Sequence, residues 1–343
     1  MTNTRFLVPL LVFAFCFSAV AQPRTITRIV GNNSIDDRDA DMIRRYATGW
    51  AENLQTTDSE ELSIAHNKLV EPLRPEHGMS PYARSIYGKE LKNSFKPILA
   101  SENQMAAINA LQVMSFLGTE QACGVLLSHA DLSTEDKPSL RLWASIGLGT
   151  SFQVGILQPS RISDYATILS NFILKESEWH IIARQFESLA SLYDIPDLSS
   201  RELENLESLS MKLQVNSMSK LLDNIMKSEE VDERVKSLPF ALPSLRLQLI
   251  EPSITEEVRE EGQKVLLPVL IDFVEFSIRR TANSGDDKGL HKAYGESINT
   301  AGLIIDRILS VDDGGLPMAE PWETGDLGAI GERVALWKKL SKN

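Results

Sequence analysis

Five histidines, two cysteines and many carboxylates are the residues with which this chain could do chemistry, and their spacing limits what that chemistry could be. His66, His77, His129, His180 and His291 never fall at i and i+4, no HExxH occurs, and no cysteine pair stands at metal-ligand spacing. A structural or catalytic zinc needs three or four such ligands converging on one point, so no metal ligand is assigned. His180 stands beside Trp179 with Glu176 and Glu178 close by. Carboxylates near an imidazole could tune it as a general base; the simpler reading is a histidine at a helix start, satisfied by its neighbours. His66, within Ile64-Ala65-His66-Asn67-Lys68-Leu69, reads as a half-exposed helix position.

Nucleophiles fare no better. Ser217-Met218-Ser219-Lys220 has the SxxK spacing in which a lysine one turn on helps to activate serine, yet the SDN and KTG partners of that chemistry are missing. There is no GxSxG elbow and no glycine-rich phosphate loop. Cys123 and His129 are six residues apart, which on a helix puts them on different faces. The apolar run Ala122-Cys123-Gly124-Val125-Leu126-Leu127 makes Cys123 a buried small hydrophobe. Asp36, Asp37, Asp39 and Asp41, like Glu256, Glu257, Glu260 and Glu261, open helices, where negative charge favours the positive end of the helix dipole. A glycosidase needs two facing carboxylates, usually with aromatic platforms; Trp50, Trp143, Trp179, Trp322 and Trp337 are scattered. Between 310 and 328, Asp312, Asp313, Gly314, Gly315, Glu320, Glu323 and Asp326 form an oxygen-rich loop outside the EF-hand spacing. Leu316, Pro317, Met318, Pro321 and Trp322 in the same loop could pack over a core or anchor a partner. No catalytic, cofactor-binding or metal residue is therefore assigned.

The elements that would position these groups are helices. Of 343 residues, 43% are hydrophobic and 24% charged, with a net charge of −12, which excludes a disordered tail and makes a nucleic-acid-binding surface an unlikely reading of the chain. Arg5 followed by the apolar run Phe6 to Val20 and by Ala19-Val20-Ala21 reads as a cleaved signal peptide over 1–21, leaving Gln22 first. No later stretch is long and apolar enough to span a bilayer; Val265 to Ile278 carries Asp272, Glu275 and Pro268. With Cys16 removed, Cys123 has no partner for an intramolecular disulfide, so the fold must stand on its core.

Capping boxes are expected at Thr57/Glu60, Ser101/Gln104, Ser199/Glu202 and Ser253/Glu256, and Ser80-Pro81 adds a capped start with proline at the first helical position. Apolar residues recur at steps of three and four: Ile298, Ala301, Ile305, Ile308; Met218, Leu221, Leu222, Ile225; Met42, Tyr46, Trp50. Helices are expected near 36–54, 58–70, 81–99, 102–117, 119–129, 138–149, 161–174, 178–193, 200–227, 255–281, 288–310 and 326–341. Thr25 to Val30 is the one weak strand candidate, inside an extended segment over 22–35.

From about 100 to 193 the theme of a small residue in an apolar stripe recurs. Ala110, Ala144 and Ala183 are 34 and 39 residues apart, and the first two stripes end at Gly118 and Gly149, close to the period of two-helix repeats. This pattern resembles HEAT-like or armadillo-type α-helical repeats. The resemblance implies an all-α fold of stacked antiparallel helix pairs over 36–195, a HEAT-like solenoid. Residues 196–343 would continue the array or cap it as a helical bundle. It implies a binding surface and names no residues. The function expected is that of an exported, periplasmic or extracellular, non-enzymatic scaffold that binds a protein or a cell-envelope component without a cofactor. An exported helical hydrolase or lyase acting on envelope polymers, and a calcium-stabilised module, are the alternatives.

Overall fold

Helix starts in this chain are made by short polar side chains and by proline, and the structure uses both. It is a computed structural model that describes residues 23–193, 195–250, 253–281, 287–311 and 318–342; the signal-peptide expectation lies outside them. Asp36, Asp58, Ser80, Asn103, Thr119, Asp287 and Asp326 each accept a backbone N–H of the first helical turn. Pro81, Pro138 and Pro159 open helices where their missing donor costs nothing. Ser199 and Glu202 form a full capping box. Two of the other three expected boxes shift: Asp58 rather than Thr57 and Asn103 rather than Ser101 cap their helices, because each lies closer to the first turn. The Ser253 hydroxyl makes no cap.

The helices in chain order are α1 (Thr27–Val30), α2 (Asp37–Asn53), α3 (Ser59–Val70), α4 (Pro81–Leu99) and α5 (Gln104–Ser115). Next come α6 (Glu120–Ala130), α7 (Pro138–Gln153), α8 (Pro159–Ile173), α9 (Trp179–Ala190) and α10 (Ser200–Lys227). The chain ends with α11 (Leu238–Gln248), α12 (Glu256–Thr281), α13 (Lys288–Ile308), α14 (Ala319–Thr324) and α15 (Leu327–Leu340). No strand occurs among the described residues. The weak strand candidate is a single helical turn, α1, and so the segment over 22–35 is not extended throughout.

Packing follows a two-row scheme. Chain neighbours pack as α2/α3, α4/α5, α6/α7, α8/α9, α10/α11 and α12/α13, and each helix from α2 to α11 also touches the helix two places on. One row runs α2, α4, α6, α8, α10, α12; the other runs α3, α5, α7, α9, α11, α13. Helix α15 packs on α12 and α14 on α13, closing the array. The molecule is thus an all-α array of stacked helix pairs, and the C-terminal third continues the rows before it is capped. One hydrophobic cluster runs from Ile26 to Trp337 between the rows.

Ala110, Ala144 and Ala183 lie on α5, α7 and α9, three consecutive helices of one row, and all three are buried. The small residues let adjacent helices approach. Gly149 differs from expectation: it does not end α7, which runs on to Gln153 before Gly155 turns the chain at φ +73°. A Cβ on Gly149 would lie 2.9 Å from Ser188 Oγ and 3.1 Å from its Cα, so this glycine is where α7 meets α9. Two helices were not foreseen. Helix α11 holds Pro239 in its first turn and Pro243 inside, and α14 is short and contains Pro321.

Candidate functional site

The odd-numbered row carries a face that is unusual for so charged a chain. Helix α5 contains no charged residue, and α7 contains one, Arg141. Arg141 is buried: its Nε and Nη2 donate to Glu176 at 2.8 and 3.0 Å, and its Nη1 donates to the carbonyls of Glu135 and Asp136. What α5 and α7 present outward is Met105, Ile108, Gln112, Trp143, Ile146 and Thr150. The other row is different: α4 exposes Lys89, Lys92 and Lys96, and α8 exposes Arg161 and Asp164.

Helix α9 forms the middle of this face. Its outward charges, Arg184 and Glu187, pair with each other one turn apart. Shallow grooves lie on either side and share that pair as a common wall. The α7/α9 groove, about 300 Å³, is floored by Gly149 and Ser188, the close approach described above. The α9/α11 groove, about 340 Å³, runs from Trp179 and Phe240 at one end to Ala190 and Ser244 at the other. Trp179 stacks on Phe240 with ring centroids 5.9 Å apart and 22° between planes, and His180 meets Trp179 edge-on at 5.6 Å. Phe240 is 61% exposed and Leu247, on the same face of α11, 59%. Large apolar side chains that stay in water, beside a groove whose two charged groups pair with each other, have the composition of a protein-interface core.

A larger concavity, about 630 Å³, lies between α13 and α14. Trp322 forms its floor, 3% exposed, with Nε1 donating to the His291 carbonyl at 3.0 Å. Gly295 makes room for the indole, since a Cβ there would fall 2.5 Å from Cδ1. Its rim mixes Lys288, Lys292, Glu296 and Glu323. Asp287 at its edge accepts the N–H groups of Leu290 and Gly289, which hold its carboxyl below the usual range as a helix cap.

The sequence candidates are dispersed. Glu176 belongs to Arg141, and only Glu178 approaches His180, at 3.8 Å. His129 Nδ1 lies 2.7 Å from Glu135, away from Cys123, whose buried thiol is pushed up to about 12 by desolvation. Ser217 is buried and donates to the Ser170 carbonyl, while Lys220 is exposed, so the SxxK pair does not meet. His66 is half-buried, and burial lowers its pKa against the opposing effect of a hydrogen bond to Asn109. Among the described residues, no three His, Cys, Asp or Glu side chains lie together as metal ligands. Of the acidic loop, 312–317 lie outside the described residues; Asp326 caps α15, and Met318 and Trp322 pack on the core. Phe240 escaped notice because α11 did.

No protein-family model matches this chain, and no curated protein matches it. Among solved structures, it is similar to an engineered protein from the Northeast Structural Genomics Consortium at 13% identity and a TM-score of 0.33, over 75% of this chain and 97% of the other. A second engineered protein from the same consortium gives 14% identity and a TM-score of 0.26, over 93% of each chain. At those scores neither similarity bears on fold or function.

Proposed function

We propose that this chain is an exported, HEAT-like helical-repeat scaffold that binds a protein or another cell-envelope component through the outer face of α5, α7, α9 and α11. The observation that supports this reading is the face itself: four neighbouring helices whose outward charges reduce to one self-satisfied pair and Arg246, with Phe240 exposed and Trp143 and Trp179 half-buried. Desolvating such a face costs little, and buried aromatic anchors supply most of the affinity in protein interfaces. The mechanism is surface complementarity across several helices, without a covalent step.

The test is affinity capture from a cross-linked envelope extract of the source organism, with wild-type protein and the Trp179→Ala and Phe240→Ala variants. One polypeptide recovered in stoichiometric amount by the wild type, and lost with either variant, supports the reading. Turnover of an envelope polymer with no captured partner would replace it with the hydrolase or lyase alternative.

A further inference from the structure

The same face is complementary to itself, and we propose that its first occupant is a second copy of this chain, so that the scaffold is a two-fold dimer built across α9. This inference rests on the binding face proposed above. A chain of net charge −12 repels its own copy wherever its acidic surfaces meet. Over α5, α7, α9 and α11 no unpaired carboxylate is exposed, since Glu187 is held by Arg184. That face admits a second copy without like-charge contact.

The single ion pair then fixes the geometry. In a two-fold contact each residue meets its counterpart reciprocally. With two α9 helices crossing antiparallel, Arg184 faces the partner's Glu187 and Glu187 faces the partner's Arg184. Both pairs form at once, and the one charge outside them is Arg246, a cation that adds no carboxylate to the contact. The apolar groups follow the same operator. Phe240, 61% exposed at one end of the α9/α11 groove, comes opposite the other end of the partner's groove. Small side chains, Ala190 and Ser244, leave space there, and Leu247 beside them is 59% exposed. A projecting phenyl ring and an open groove end on one helix pair make a knob and a hole that a two-fold axis brings together twice.

Sedimentation equilibrium of the purified protein over a wide concentration range tests this, with circular dichroism to show that each variant is folded. The expected result is a species of twice the chain mass. Arg184→Glu should abolish it, and the swapped double variant Arg184→Glu/Glu187→Arg should restore it. Phe240→Ala should raise the dissociation constant by about a hundredfold, about tenfold for each of the two buried anchors lost. A monomer at every concentration overturns the inference, as does a dimer indifferent to all these variants or a double variant that fails to recover. A monomer that still captures an envelope polypeptide through Trp179 and Phe240 overturns the dimer alone. A monomer that captures nothing overturns the binding face as well.

Discussion

Arg141 and Glu176 show how one side-chain pair holds two elements together. The bidentate contact is 3% and 1% exposed on its two sides, and Glu176 Oε1 also accepts the N–H groups of Ser177 and Glu178 just before α9. The pair fastens the start of α7 to the turn that launches α9. Removing one partner strands a buried charge, which costs about 3 to 5 kcal/mol. Glu176→Gln should therefore lower the unfolding free energy measured by urea titration by that amount, whereas Arg141→Met with Glu176→Leu should recover most of it. Nothing in the spacing of these residues, 35 apart, announced the pair; the sequence suggested His180 as the partner of Glu176, and tertiary packing assigns it to Arg141 instead. A second residue-scale consequence concerns His66. Burial lowers its pKa below 6.5, so the folded chain favours the neutral ring while the unfolded chain takes up a proton first. Its contribution to stability is thus present above pH 6.5 and is lost as pH falls below it. Stability measured by urea titration should decline across that range, and His66→Gln should flatten the slope.

Among the elements, Gly149 is the most exacting position. The backbone of α7 approaches Ser188 so closely that any side chain must displace α9. Gly149→Val should cost about 1 to 3 kcal/mol by overpacking and should disturb the floor of the α7/α9 groove; chemical denaturation measures the first effect. The helices themselves were readable wherever an apolar stripe kept a 3.6-residue period. Helix α10 was foreseen over its full length, and its Met218, Leu221, Leu222 and Ile225 are all buried. Helix α11 was missed; it carries Pro239 and Pro243, and proline is ordinarily unfavourable inside a helix. Pro239 sits in the first turn, where it is harmless, and Pro243 is tolerated inside the packed helix. The repeat was legible as spacing, since Ala110, Ala144 and Ala183 proved to be one row of adjacent helices. The proposed binding face was not, because it joins residues from α5, α7, α9 and α11 that share only a scarcity of charge.

For the whole molecule, charge is distributed unevenly over the two rows. The even-numbered row and the two ends of the odd one, α3 and α13, carry exposed lysines, arginines and carboxylates. Between those ends, α5, α7, α9 and α11 bring Trp143, Trp179 and Phe240 to a face nearly free of charge, and the central question is whether that face is occupied in the cell. Site-specific photo-crosslinking in living cells measures this most directly, with a photoreactive residue at Ile146 or Phe240 on one row and at Lys92 or Asp164 on the other. The account predicts discrete polypeptide adducts from Ile146 and Phe240 and none from Lys92 or Asp164. Adducts from both rows alike, or from the charged row only, would contradict it.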